Sequence, residues 1–503
     1  MTLLPVPSSL HEPLFVVTVL LVLMYLNGKY NANYWKKRGV IYDVSNKYLG
    51  PFFEVMYSKQ SVYEILQRIY NSHPDAPAVG MASIFSPALL VQDLTNIQHL
   101  LASDFNSFNH RGIEPMKEDL LADNILFMTG KRWKLMRQHM TPLFTSRKLK
   151  SMYYILDKSA TDFVKYFEKN PNLLRGNAYK TISTFCSAAI GAAVFGVSAE
   201  SVFDSPFFAM AQKANTTSIK TKIGFAVSNI SPKLLKLLRI NLFQEHEKFF
   251  IGAIKEIIRA REQEKVKRYD FADICVSIQN NGTLKDPETG FELEPTDEIL
   301  AAQAFFFFVA GVDPSASGIF STLIELGRHP EVLKKVHEEI DRTFENHKVI
   351  SYDVLSGMEY LDQVLSEAMR LHPPISFISR HCVSDTILPV GNIKIDKGTN
   401  VFIPIYQIHY DAKYYPDPNA FKPERFSNEN KQNIIDTAYM PFGKGNRVCV
   451  GSRFALMQMK AGLVHLLRNY TVKTILKGDK IKYKKDILQL RICNADVEFA
   501  PRY

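Results

Sequence analysis

The chain has 503 residues, 46% hydrophobic and 22% charged, with a formal net charge of +10. That apolar content excludes a disordered chain, and 34 Phe residues are enough for a large core together with an apolar ligand cavity. The positive balance suits a membrane surface or an acidic protein partner. It does not suit nucleic acid, since no zinc-finger spacing or basic-aromatic interleave is present.

The first element in chain order is an apolar run from Leu14 to Leu26, broken only by Thr18. It is shorter than the ~20 residues that a full span prefers. His11 and Glu12 precede it, and Lys29, Lys36, Lys37 and Arg38 follow it. A cleaved signal would carry its positive charge first. The observed order predicts a signal-anchor with the bulk of the chain on the cytosolic side. Tyr25, Tyr30, Tyr34 and Trp35 suit an interfacial belt. This reading divides the chain into an anchor over 1–28, a linker over 29–50 and one large domain over 51–503.

Within that domain the spacing predicts amphipathic helices over Met152 to Phe167 and Phe249 to Arg261. Glu298 through Leu326 reads as one very long helix, apolar nearly all round, which should run through the centre of the protein. Glu331 to Phe344 reads as an exposed helix. Strands are expected at Ala88 to Gln92, Asn392 to Ile395, Thr399 to Ile405 and Gln489 to Ile492, and a loop over Asn280 to Pro295. Lys473, Lys477, Lys480, Lys482, Lys484 and Lys485 read as a solvated strand-and-turn surface. The fold class is mostly α with small β-sheets. The five cysteines, Cys186, Cys275, Cys382, Cys449 and Cys493, are odd in number and widely spaced without C-x-x-C. Neither a disulfide framework nor a zinc site follows, and a reducing compartment is implied.

The most informative segment is Pro441-Phe442-Gly443-Lys444-Gly445-Asn446-Arg447-Val448-Cys449-Val450-Gly451. Glycines here permit tight turns around a cysteine, and the apolar run after Gly451 (Phe454, Ala455, Leu456, Met459) begins a helix whose positive end stabilises a thiolate. A lone buried cysteine is ordinarily an inert small hydrophobe, but the pattern F-x-x-G-x-R-x-C-x-G is far more specific. It resembles the haem-binding loop of the cytochrome P450 family, and the resemblance extends along nearly the whole chain.

The resemblance implies haem b as cofactor, Cys449 as its iron ligand, and Phe442, Gly443 and Gly451 as parts of the loop. Arg447 and Arg380 would each answer a propionate. Trp133 and Arg137 match the family's W-x-x-x-R and lie four apart on a helix, so both can reach one haem edge. Glu367 and Arg370 match E-x-x-R, and Arg425 follows in Phe421-Lys422-Pro423-Glu424-Arg425-Phe426. These three are expected to form a buried charge network beneath the cysteine loop. Lys131, Arg132, Lys134 and Lys444 would make a basic patch for an NADPH-cytochrome reductase, with cytochrome b5 as a second donor. NADPH acts only through that reductase. The anchor and the family place the enzyme in the endoplasmic reticulum membrane.

The long helix departs from the family pattern A-G-x-[D/E]-T-[T/S]. It reads Ala310-Gly311-Val312-Asp313-Pro314-Ser315. Threonine normally supplies a hydroxyl for proton delivery, whereas proline has neither hydroxyl nor N–H. Pro314 would free the Ala310 carbonyl while losing the proton donor. In the favoured reading Asp313 and Ser315 still supply protons, and the enzyme is a monooxygenase. The alternatives are isomerase or dehydratase chemistry on a peroxide without a reductase, and non-catalytic haem binding. Wording across Trp133 to Lys150 and Ala302-Gln303-Ala304-Phe305 is most similar to insect detoxification members, which implies small lipophilic substrates such as toxins, insecticides or lipids. Pocket candidates are Val309, Ala310, Asp313, one or two of Phe305 to Phe308, Phe105 to Ala122 and Ile375 to Phe377.

Overall fold

The computed structural model describes residues 8–44, 60–83, 87–196, 221, 223–225, 227, 232–264, 268–486 and 489–503. Gly50 and Pro51, all that this sequence offers where the resemblance implies a Pro-rich hinge, lie outside them. Helix α1, Ser8–Lys37, contains the apolar run, and Phe15, Leu20, Leu21, Val22, Leu23 and Leu26 are all more than half exposed. Two later helices are also apolar and long enough to cross a bilayer, but they are buried inside the protein, whereas the α1 span is only 11% buried.

Helix α1 does not stop at residue 28. It continues through residues 29–37, where a linker was expected, because its last turns have a partner. Trp35 is fully buried and its indole N–H donates to the Met81 carbonyl (3.4 Å). The Asn31 amide donates to the Ser83 carbonyl (2.9 Å), and Arg38 pairs with Asp396. Burying that face keeps the chain helical beyond the apolar run.

Helix α2, Val62–Ser72, begins at a capping box in which the Glu64 carboxylate accepts from the Ser61 N–H (2.7 Å). Strands β1, Ala78–Met81, and β2, Ala88–Val91, pair antiparallel. Helices α3, Gly130–Met140, α4, Ser146–Lys169, α5, Ala178–Phe195, and α6, Gln244–Gln263, carry the chain to a small hairpin of β3, Leu284–Lys285, and β4, Glu292–Leu293. The hairpin occupies the expected loop.

Helix α7, Asp297–Arg328, is the predicted central helix. Thr296 caps its start, Asp297 and Glu298 complement the positive end, and Arg328 the negative end. It packs on α5 and α6 and on five elements downstream, three helices and the two strands of the final pair. Helices α8, Pro330–Asn346, and α9, Glu359–Leu371, follow. Strands β5, Ile378–His381, β6, Thr386–Leu388, β7, Ile393–Ile395, and β8, Asn400–Ile403, come next. After helix α10, Ser452–Asn469, strands β9, Tyr470–Leu476, and β10, Ala495–Pro501, close the chain as an antiparallel pair. The main sheet runs in the order β1-β2-β8-β5, with β2 and β8 parallel.

Gln489 to Ile492 does not form the expected strand. Gln489 bridges Ile375, Leu490 donates its N–H to the Pro374 carbonyl (2.9 Å) and Ile492 bridges Tyr483, so the segment spreads its pairing over separate neighbours and builds no ladder.

Candidate active site

The cysteine loop is fixed by its own backbone. The Cys449 N–H donates to the Phe442 carbonyl (2.9 Å), the Val448 N–H to Gly445 (3.0 Å) and the Gly443 N–H to Met440 (3.0 Å). Gly443 and Gly445 take φ of 74° and 71°, in the left-handed region that glycine adopts without a steric penalty. At Gly445 a Cβ would also overlap the Leu101 carbonyl. Gly451 caps α10 and gives its N–H to the Cys449 sulfur. The cysteine is open to solvent but ringed by protein. That enclosure pushes its thiol up, while the Gly451 N–H and the Arg137 and Arg111 guanidiniums pull the other way.

Four arginines surround this loop. Arg137, on α3, donates to the Val448 carbonyl (2.9 Å). Arg447 is buried, donates to the Met128 (2.6 Å) and Leu126 (3.2 Å) carbonyls, and lies over the Trp133 ring at 4.5 Å. Arg380, on β5, is buried and donates to the Ser379 carbonyl (2.8 Å). Arg111, which the sequence reading did not single out, donates to the Arg447 carbonyl (3.2 Å). The only advance signal for Arg111 was its place in the pocket candidate 105–122.

Among the described residues none of the four meets a carboxylate, and the Nε atoms of Arg111, Arg380 and Arg447 are buried without a partner. Desolvation, reinforced by mutual repulsion, pushes Arg447 down to about 8, Arg111 to about 10 and Arg380 well below its usual value. Clustered buried cations without counter-ions demand an anion. A flat cofactor with two carboxylates beside a cysteine sulfur fits this donor set, and haem b has that shape and charge.

Glu367, Arg370 and Arg425 are brought together. Glu367 and Arg370 are both fully buried and joined by two bonds (2.7 and 2.8 Å). Arg370 also donates to the His409 (2.7 Å), Pro418 (2.9 Å) and Ala420 (3.2 Å) carbonyls. Arg425 donates to Glu367 at 3.3 Å, and the Lys422 N–H donates to the same carboxylate at 3.0 Å.

On α7, the centre is buried except for one face. Ala310 is exposed, and Phe306, Val309, Asp313 and Pro314 are half-buried around it. An exposed alanine in the middle of a core helix faces an internal opening. Of the four consecutive phenylalanines only Phe306 is open; Phe305, Phe307 and Phe308 are core. Gly311 turns toward Ile190 on α5, where an added Cβ would come within 3.0 Å of the isoleucine side chain. Gln303 clamps the wall by accepting from the Ile125 N–H (2.9 Å) and donating to the Asp123 carbonyl (3.0 Å).

Ser315 does not join Asp313. Two residues apart on a helix means about 200° of rotation, and Ser315 is 3% exposed on the far side of α7. The groups that do reach Asp313 are two that the sequence reading did not name. Arg491 pairs with Oδ2 at 3.0 Å, and the Tyr179 hydroxyl donates to Oδ1 at 3.2 Å. The basic patch is also altered: Arg132 pairs with Asp123, Lys134 with Glu288 (2.5 Å) and Lys444 with Asp436, so three of its four cations already have acidic partners.

The family model for cytochrome P450 matches residues 45–497. The chain belongs to the cytochrome P450 family. It is 34% identical to cytochrome P450 6B5 of Papilio glaucus over 91% of this chain and 97% of that protein. It is 32% identical to cytochrome P450 6k1 and 33% identical to cytochrome P450 6j1, both of Blattella germanica, over 91–92% of this chain. It is therefore a P450 monooxygenase of insect type, with haem b as cofactor and NADPH as the ultimate reductant in the family's standard arrangement. The exposed apolar face of α1 is consistent with membrane association.

Proposed function

We propose that this P450 oxygenates small lipophilic molecules at the cytosolic face of the endoplasmic reticulum, drawing electrons from NADPH through an NADPH-cytochrome reductase. The net reaction is RH + O2 + NADPH + H+ → ROH + NADP+ + H2O. The observation that carries the reading is the set of four arginines without counter-ions beside Cys449. Haem, when bound, supplies the iron that activates oxygen.

In this reading Cys449 gives its thiolate sulfur to the iron, stabilised by the Gly451 N–H at the start of α10. Arg111, Arg137, Arg380 and Arg447 neutralise the two propionates, and Trp133 supports Arg447 from beneath. Glu367, Arg370 and Arg425 hold the segment that leads into the loop. Phe306, Val309 and Ala310 offer an apolar wall that receives a lipophile and excludes water. Asp313 sits beside that wall as the carboxylate that would relay protons. Pro314 gives no N–H to the Ala310 carbonyl, which stays available as an acceptor.

Residues 1–28 supply the bilayer-embedded part of the anchor. The lysines and Arg38 after it keep the domain cytosolic. Exposed ion pairs are worth little, so the cations at Arg132, Lys134 and Lys444 can exchange their partners for carboxylates of an acidic reductase or cytochrome b5. The test is the carbon-monoxide difference spectrum of the reduced protein. The wild type should show thiolate-ligated haem that responds to lipophilic ligands, and Cys449→Ala should lose that signature. A thiolate spectrum retained in Cys449→Ala would refute the ligand assignment.

A further inference from the structure

The family pattern calls for an alcohol next to the acid of the central helix, and Pro314 removes it. The structure supplies a phenol from another helix. Tyr179 is the second residue of α5, whose start is pinned where Asp496 accepts from the Asn177 (2.7 Å) and Ala178 (3.1 Å) N–H groups. Its hydroxyl lies 3.2 Å from Asp313 Oδ1, 3.4 Å from the Asp313 carbonyl and 3.5 Å from Ser317 Oγ. Burial, then the nearby Asp313 charge, push the phenol up, so it stays a donor at neutral pH.

Arg491 completes the arrangement from the segment before β10. It pairs with Asp313 Oδ2 (3.0 Å), donates to Gln489 Oε1 (3.2 Å), and stacks over the Tyr179 ring at 4.5 Å. Phe320 packs edge-on against the other partner of that stack, 5.6 Å from the Tyr179 ring. Each carboxylate oxygen of Asp313 therefore has its own donor, one neutral and one cationic. Each donor is held by contacts independent of Asp313.

We propose that Tyr179 and Arg491 are positioning residues for Asp313, with the Tyr179 hydroxyl standing in for the alcohol that Pro314 cannot provide. The inference rests on the monooxygenase reading above and on Asp313 as the proton-relaying carboxylate. Tyr179 sets the orientation of Oδ1, and Arg491 holds Oδ2, so that the acid is presented in one rotamer rather than several. Tyr179→Phe removes one oxygen atom and leaves the ring stack intact.

The experiment compares wild type, Tyr179→Phe, Asp313→Asn, the Tyr179→Phe/Asp313→Asn double variant, and Tyr179→Phe combined with Pro314→Thr. All are full-length, haem-loaded and reconstituted with a microsomal reductase and one lipophilic probe that the wild type oxidises. Product per NADPH should fall by about tenfold in Tyr179→Phe, the scale of one charge-assisted hydrogen bond, and Pro314→Thr should restore it. Turnover driven by an organic hydroperoxide, which bypasses proton delivery, should be unchanged. Without reference to activity, Tyr179→Phe and Asp313→Asn should be non-additive in chemical denaturation, as contacting residues are.

Unchanged product per NADPH in Tyr179→Phe, or strictly additive denaturation, overturns the proposal. So does an equal loss with the hydroperoxide, because that marks a distorted pocket, and so does a loss that Pro314→Thr fails to restore. If the wild type itself yields no NADPH-dependent product, the monooxygenase reading has failed and not the positioning role.

Discussion

Truncating the Glu367–Arg370 pair should have different consequences from its two ends. Both side chains are fully buried. In Glu367→Gln, the amide oxygen can take the place of Oε1, which serves Arg370 Nη2, the Lys422 N–H and Arg425. The amide NH2 then faces Arg370 Nε, a donor against a donor, and one charge-assisted bond is lost with the charge balance. Arg370 keeps three carbonyl acceptors, so the cost should sit at the low end of the range for breaking a buried pair, about 3 kcal/mol. Arg370→Met leaves the Glu367 carboxylate with only Arg425 at 3.3 Å and the Lys422 N–H, and also leaves the His409, Pro418 and Ala420 carbonyls short of a donor, so about 5 kcal/mol is expected. The double variant should cost less than the sum of the two. Guanidinium denaturation followed by the fluorescence of Trp35 and Trp133 reads all three. Either single variant within about 1 kcal/mol of wild type, or simple additivity, would refute the account of this network.

Three further outcomes follow from the geometry. Gly445→Ala must place a Cβ against the Leu101 carbonyl at a positive φ, so it should destabilise the loop by more than about 2 kcal/mol and abolish the thiolate haem spectrum while leaving overall helicity intact. His409 is buried between the Met440 N–H, which donates to its Nε2 (3.0 Å), and the Arg370 carbonyl at 3.0 Å from Nδ1; burial pushes it down to about 3. Its folded value lies below the ordinary 6.5, so its contribution is complete above pH 6.5 and is lost as pH falls toward 3, by about 1.4 kcal/mol per unit. In His409→Gln the slope of stability against pH across that window should lose one proton. Gly80→Ala would overlap the Trp35 ring, so it should lift the last turns of α1 from β1 and raise acrylamide quenching of Trp35, with membrane binding retained.

The legible parts of this protein are those whose logic is local in sequence. The cysteine loop could be read because Phe442, Gly443, Arg447, Cys449 and Gly451 fall within one stretch of ten residues. Arg370 and Glu367 could be paired because a helix brings residues three apart together. The central helix announced itself by 29 nearly uninterrupted helix-compatible residues between Glu298 and Leu326, and the structure extends it to Asp297–Arg328. What stayed hidden was long-range. Asp313 meets Tyr179 and Arg491, 134 and 178 residues away, and neither has a local pattern that marks it. Ser315 was named beside Asp313 as a proton source from the motif it sits in, but helical rotation turns it to the far side of α7. The basic patch was read from cations alone, because Asp123, Glu288 and Asp436 reach them only in the folded chain. The linker was placed at residue 29 because hydropathy ends there, although the helix continues on tertiary contacts through Asn31 and Trp35.

The most direct test of the central claim is to measure NADPH consumed and oxygenated product formed in one reconstituted mixture of full-length protein, microsomal reductase and a panel of lipophilic probes. The account predicts product that depends on both NADPH and the reductase, despite Pro314 in the central helix. A sound thiolate spectrum with no NADPH consumption, and turnover of an organic peroxide instead, would contradict it.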